Sequence, residues 1–179
     1  MSGLQLDQVH LVHFETELGE CALAGTGWGL LACALPGRPR DHLRTWLDKT
    51  LPGVVIDESV GPLEAALEAV QAFLAGRRRD LPSSLDLRGT SFQQDVWRAL
   101  RTIPYGETIT YAELSLRAGH EGAWRAVGAA NGANPLPLFV PCHRVVASDG
   151  IGGFTGGLDL KRRLLALEQG QLELGFGDS

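Results

Sequence analysis

At 179 residues the chain can hold one large domain or two small ones. Its mean hydropathy is near zero, and no apolar run reaches the roughly 18 residues of a bilayer crossing, which excludes a membrane-spanning helix. Three cysteines at scattered positions exclude a disulfide framework, and the first 20 residues carry His, Glu and Asp with no signal-peptide pattern, so a cytoplasmic protein is expected. The formal net charge of −5 lies wholly in the first half: residues 1–87 hold 7 Lys/Arg against 12 Asp/Glu and residues 88–179 hold 9 of each, so composition alone does not suggest nucleic acid.

Val9 to Thr16 alternates loosely through His10, Val12, His13 and Phe14 and reads as a strand. Cys21 to Ala24 and Gly29 to Leu35 are two more short apolar runs, and Gly25-Thr26-Gly27 between them predicts a hairpin. Leu43, Trp46, Leu47 and Leu51 recur at helical spacing over Asp41 to Leu51, closed by Pro52-Gly53. Val54-Val55-Ile56 is a brief strand, and Leu63 to Leu74 is an amphipathic helix carrying Ala66, Leu67, Val70 and Phe73 on one face. The order β-β-β-α-β-α predicts a small, mainly antiparallel α/β domain over residues 1–86. Cys21, Cys33, His10, His13 and His42 raise the question of zinc, but no ligand-like spacing such as Cys-x-x-Cys is present and no metal site is expected. Arg77-Arg78-Arg79 lies just past a helix C-terminus, where cations complement the helix dipole. Asp80 to Arg88, with Pro82-Ser83-Ser84, reads as the linker.

The second half, residues 87–179, reads as mostly helical. Ser91-Phe92-Gln93-Gln94 has the pattern of a capping box opening a helix with Val96, Trp97, Leu100 and Ile103, stopped by Pro104-Tyr105-Gly106. A second box, Thr110-Tyr111-Ala112-Glu113, opens a short helix ending at Gly119. After a turn, another helix runs from about Ala123 to Asn131, and together the two read as a helix-turn-helix. The last of these is unsuited to reading base edges. Ala123, Ala126, Gly128 and Ala129 admit close approach of a surface, and Arg125 is the helix's single charge; helix packing with a solvated Arg125 is the ordinary alternative. Asn134-Pro135 ends it. Ser148 to Gly157 is a glycine-rich loop without the Gly-Lys-Ser/Thr ending of a phosphate loop, and Leu158 to Gln169 is a final helix on which Glu168 can share the buried face of Leu164 and Leu165.

Between these elements stands Pro141-Cys142-His143-Arg144-Val145, placed after Leu136, Leu138, Phe139 and Val140, which read as a buried strand. A thiol beside a base or in a positive environment can have its pKa lowered and act as a nucleophile. A core cysteine with an adjacent surface histidine is the plain alternative. Zinc would need about four ligands, and no second Cys or His lies near.

Arg125-Ala126-Val127-Gly128, then Asn131 to Pro137, then Pro141 to Val145, in that order and at that spacing, resemble the O6-alkylguanine-DNA alkyltransferase family from about Gly89 to Gly170. The resemblance implies a winged-helix-like second domain that binds duplex DNA containing O6-alkylguanine through the minor groove. It implies Arg125 filling the gap left by a flipped-out guanine, with Ala123, Ala126 and Ala129 admitting the helix. Tyr111 would help rotate the nucleotide and hydrogen-bond the base, and Asn134 would tie the turn to the active segment. Val145 and Cys142 main-chain atoms would read the base edge, and the loop with Phe154 and Thr155 would close over it. Cys142 would take the alkyl group irreversibly, activated by His143 and Glu168 through a water. No cofactor is implied, zinc included, nor a membrane partner, and the free protein would be a monomer. The chain departs from the family where Phe154-Thr155 replaces a Tyr-containing pair in a loop about one residue shorter. A damage-sensing DNA-binding protein without chemistry is the rival reading, but members of that type lack the cysteine. Adjacent Cys and His with nothing resembling an oxyanion hole disfavour a cysteine hydrolase.

Overall fold

In the computed structural model, residues 8–81 and 84–171 are described; Pro82 and Ser83 of the expected linker lie outside them. Strands β1 (Val9–Thr16), β2 (Gly19–Thr26) and β3 (Gly29–Ala34) form an antiparallel meander. The expected hairpin is present, but its turn falls at Gly27-Trp28, because Gly25 and Thr26 extend β2 past a register shift at Ala24/Gly25. Helix α1 (His42–Thr50) leads to β4 (Ile56–Asp57), which pairs parallel with β1 and completes the order β3-β2-β1-β4. The brief strand expected at Val54–Ile56 thus lies one to two residues later. A 3₁₀ turn at Gly61–Leu63 opens α2 (Glu64–Leu74).

Alternation along the strands explains why this sheet is covered on both faces. Val9 and Leu11, with Ala22, Ala24 and Leu31, meet Leu43 and Leu47 of α1. Val12 and Phe14, with Cys21, Leu23 and Cys33, meet Val70 and Phe73 of α2 and run on without a break into Val96, Trp97, Leu100, Leu136 and Val145 of the second half. The two halves therefore share one core. Strand β3 lies at the sheet edge, and the chain beyond it satisfies its backbone: Leu30 N–H donates to Ser84 O and Leu30 O accepts from Asp86 N–H, both at 2.8 Å, while Cys33 N–H donates to Pro135 O at 2.8 Å.

The second half comprises α3 (Ser91–Leu100), β5 (Ile109–Thr110), α4 (Tyr111–Arg117), α5 (Trp124–Gly132), β6 (Val145–Val146) and α6 (Leu158–Glu168). The capping box at α4 is as expected, with Thr110 Oγ1 accepting from Glu113 N–H. The box at α3 is set one residue earlier than the sequence pattern: Thr90 is the cap, accepting from Gln93 N–H at 3.2 Å, while Gln93 Oε1 accepts from Thr90 N–H at 3.0 Å. Thr90→Ala should therefore cost about 1 kcal/mol of unfolding free energy and Ser91→Ala less than about 0.5, a difference that paired urea titrations resolve. Helices α4 and α5 form the helix-turn-helix, its turn made by Gly119 and Gly122, both at positive φ. Trp97 of α3 locks α5 in place, its Nε1–H donating to Ala130 O at 2.9 Å. Strands β5 and β6 pair in parallel, Thr110 opposite Val146, which sets Tyr111 beside the cysteine segment. These elements together form the expected architecture, a mainly antiparallel α/β domain followed by a mostly helical one.

Candidate active site

The run Leu136–Val140 is not a strand. After Pro135 and Pro137 the chain coils, with Leu138 at φ 75° and Val140 N–H donating back to Leu136 O at 2.9 Å, and Cys142–Arg144 form a 3₁₀ turn. Asn134 makes this coil definite. Its Oδ1 accepts from Leu136 N–H at 2.9 Å and its Nδ2 donates to Val140 O at 2.7 Å, and the side chain also hydrogen-bonds the Cys142 sulfur. Asn134 thus does more than hold the turn.

His143 is fully buried rather than on the surface, and its Nε2 lies 2.7 Å from Glu168 Oε1 across 25 residues of sequence. Arg144, which sequence reading left without a role, closes the group. Its Nη2 donates to Glu168 Oε1 at 2.8 Å, its Nε to Oε2 at 2.9 Å and its Nη1 to Ile103 O at 2.7 Å, while Gly106 N–H donates to Oε2 at 3.0 Å. Burial alone would raise the Glu168 pKa; hydrogen bonds from His143 and Arg144 outweigh it and bring the carboxyl to about 2. Burial lowers the His143 pKa against the opposing pull of Glu168, so the ring is neutral near pH 7, and among the described residues its Nδ1 has no hydrogen-bond partner.

The thiol itself is not poised as a thiolate. Burial pushes Cys142 up to about 11, more than its hydrogen bond from Asn134 and the nearby charge of Lys161 bring it down. Lys161 is the second residue that sequence reading missed. It is fully buried in α6, with Nζ donating to Val145 O at 2.6 Å and Gly153 O at 3.0 Å, so one ammonium ties the segment after Cys142 to the glycine-rich loop. Its spacing to Leu164 and Glu168, three and seven residues on, was the available signal.

Two cavities meet at Cys142. The first, of about 200 Å³, is bounded by Tyr111, Gly128, Asn131 and Cys142 and covered by Phe154 and Thr155. The second, of about 320 Å³, opens toward the first half, where Cys33, Arg38, His42 and Trp46 line it. Tyr111 is partly buried with its pKa raised by that burial, so the phenol keeps its proton, and the Gly153 backbone is hydrogen-bonded to it. Gly152 is required here: at φ 74° a Cβ would stand 3.0 Å from Ala147 N and 3.2 Å from the Tyr111 ring. Thr155 Oγ1–H donates to Gly132 O at 3.1 Å, latching the loop to α5. The outer face of α5 exposes Arg125, Ala126, Ala129 and Gly132, with Ala123 at its cap, so the cavity mouth opens along a row of small residues. Arg125 stacks over the Trp124 ring at 4.8 Å.

One expected pocket residue is not brought in. Val145 is fully buried below the floor and lines neither cavity; its N–H donates to Cys142 O and its carbonyl is taken by Lys161. Among the described residues no group of three or more His, Cys, Asp or Glu is placed to hold a metal ion. Cys21 and Cys33 are buried free thiols in the shared core, and His10 and His13 face Asp57 and Glu20.

Residues 91–170 match the family described as 6-O-methylguanine DNA methyltransferase, DNA binding domain. The methylated-DNA–protein-cysteine methyltransferase of Mycobacterium tuberculosis is 40% identical over 163 residues, covering 90% of this chain and 93% of the relative. The inducible one of Bacillus subtilis is 38% identical over 148 residues, 82% of this chain and 83% of its own. Among solved structures, Mycobacterium tuberculosis OGT in complex with DNA aligns with a TM-score of 0.77 at 39% identity, covering 90% of this chain and 94% of that one.

Proposed function

The chain belongs to the methylated-DNA–protein-cysteine methyltransferase family, and we propose that it repairs duplex DNA by moving the alkyl group of an extruded O6-alkylguanine onto Cys142. The observation that carries the assignment of Cys142 is the buried His143–Glu168 pair, 2.7 Å apart, beside a thiol at the junction of two cavities.

The duplex lies along the small-residue face of α5 and the damaged nucleotide swings past Tyr111 into the smaller cavity, while Arg125 leaves Trp124 to fill the gap in the stack. The Cys142 thiol is protonated at rest, so its proton must depart as attack begins. It passes through a bridging water to His143 Nδ1, and Glu168, held ionised by Arg144, stabilises the imidazolium that forms. The sulfur attacks the alkyl carbon in line as the carbon–O6 bond breaks, and the Tyr111 hydroxyl donates to the departing guanine. A neutral thioether has no reverse path, so each molecule acts once. The free, buried thiols suit a reducing cytoplasm.

Intact-mass measurement after mixing the protein with an equimolar duplex containing one O6-methylguanine tests this. One added methyl group on Cys142, with no further gain at excess DNA, is the expected outcome. Selective binding without a mass change would assign a damage sensor instead.

A further inference from the structure

Trp124 opens α5 and is 50% exposed, and the mechanism uses it only as the place that Arg125 leaves. The packing of α5 does not depend on it. Val127 and Ala130 fill the inner face of the helix, and Trp97 of α3 fixes that face through the Ala130 carbonyl. An indole held at the surface leaves a wide apolar area in water, and such an area marks a contact to be made. In the free protein the Arg125 guanidinium covers one face of the ring, 4.8 Å from its centroid.

The neighbours of Trp124 decide what it can meet. One helical turn on, Gly128 faces the Tyr111 ring, where an added Cβ would stand 3.7 Å away, and both border the smaller cavity. Trp124 therefore stands at the start of the path along which the base swings. Ala123, Ala126 and Ala129 beside it are small, so α5 can settle deep into a minor groove, which is about 6 Å wide. An indole at the leading end of a helix seated so closely has no room between protein and DNA. It either holds the helix off, which would waste the row of small residues, or enters the base stack. When Arg125 departs for the gap, it bares the ring next to a base pair that has lost its neighbour on one side.

We infer, on the alkyl-transfer reading above, that Trp124 is a second wedge: its bared indole packs against the base pair beside the gap, and two adjacent side chains hold the duplex open. Trp124 touches no reacting atom and is a positioning residue. Its stacking partner is a base of any identity, because every base offers an aromatic face.

The test is a binding cycle on a duplex with one O6-methylguanine, in proteins that all carry Cys142→Ala so that the duplex stays alkylated. Trp124→Ala should weaken binding by about tenfold, the size of one lost base–aromatic stack, while Trp124→Phe, which keeps a ring, should lose about threefold or less. Trp124 is half exposed, so both variants should fold, which circular dichroism checks. The loss should persist in an Arg125→Ala background, since a residue that served only to hold Arg125 would matter no longer once Arg125 is gone. Indole emission is quenched by stacking on bases, so the drop on adding duplex should be largely absent from Trp124→Phe. Unchanged or tighter binding by Trp124→Ala, a loss confined to proteins that retain Arg125, or an equal drop in emission without Trp124 overturns the inference. A parent protein with Cys142 intact that takes no methyl group from the duplex overturns the alkyl-transfer reading instead.

Discussion

Cys142→Ala is expected to bind alkylated duplex with the affinity of the parent and to gain no mass from it. The sulfur is the sole acceptor in the proposed reaction, so the loss should be complete rather than graded. Binding should survive because the surfaces proposed to meet DNA, α5 with Arg125 and the helix-turn-helix, do not depend on the thiol. Stability should largely survive as well: the side chain is small, and trimming a buried CH2SH group to a methyl costs about 1 kcal/mol. Gel-shift titration and intact-mass spectra on the same preparation check both halves of the statement. Retained transfer by this variant would remove Cys142 from the mechanism and leave the site without a nucleophile.

Glu168→Gln is expected to slow transfer by about 10²–10⁴-fold, the range over which a positioned general base acts, since a neutral amide no longer raises the basicity of His143 or balances its charge. It should also destabilise the fold by about 3–5 kcal/mol, because Arg144 would be left as a buried cation without its partner. The pH dependence follows from the depressed carboxyl. With a folded pKa of about 2 against an ordinary 4.5, Glu168 contributes stability that is fully present above about pH 4.5 and is lost as pH falls toward 2. Acid titration of the parent by circular dichroism should show that loss, and the variant, already deprived of it, should change less over the same interval. Equal acid sensitivity of the two proteins would show that the pair carries little of the folding energy.

Helices and strands were legible in the sequence where one face repeats: α1 and α2 declare themselves through Leu43, Leu47, Val70 and Phe73, and the strands through the alternation around Val12 and Phe14. The proposed nucleophile and its base were legible through the ordered run of Arg125 to Gly128, Asn131 to Pro137 and Pro141 to Val145, since an adjacent Cys and His alone read as readily as a core cysteine beside a surface histidine. The conformation of the segment holding them was not. Leu136 to Val140 is apolar enough for a strand, yet two prolines and a left-handed Leu138 coil it, and apolarity records burial without recording backbone shape. Arg144 and Lys161 were missed for a related reason. A charged residue reads as solvated until its partner is known, and their partners, Glu168 and two carbonyl groups, come from other segments. The state of the thiol depends on burial, which overrides the neighbouring groups that sequence alone brings to mind.

The edge of the sheet has a consequence for how the protein is made. Strand β3 meets the chain beyond it through Ser84, Asp86 and Pro135. A nascent chain that has emerged only through α2, or a fragment that ends before Ser84, presents β3 with those ladder groups bare. An uncovered strand edge is a template for pairing with another copy. The arrival of residues 84–86 and 135 is what covers that edge.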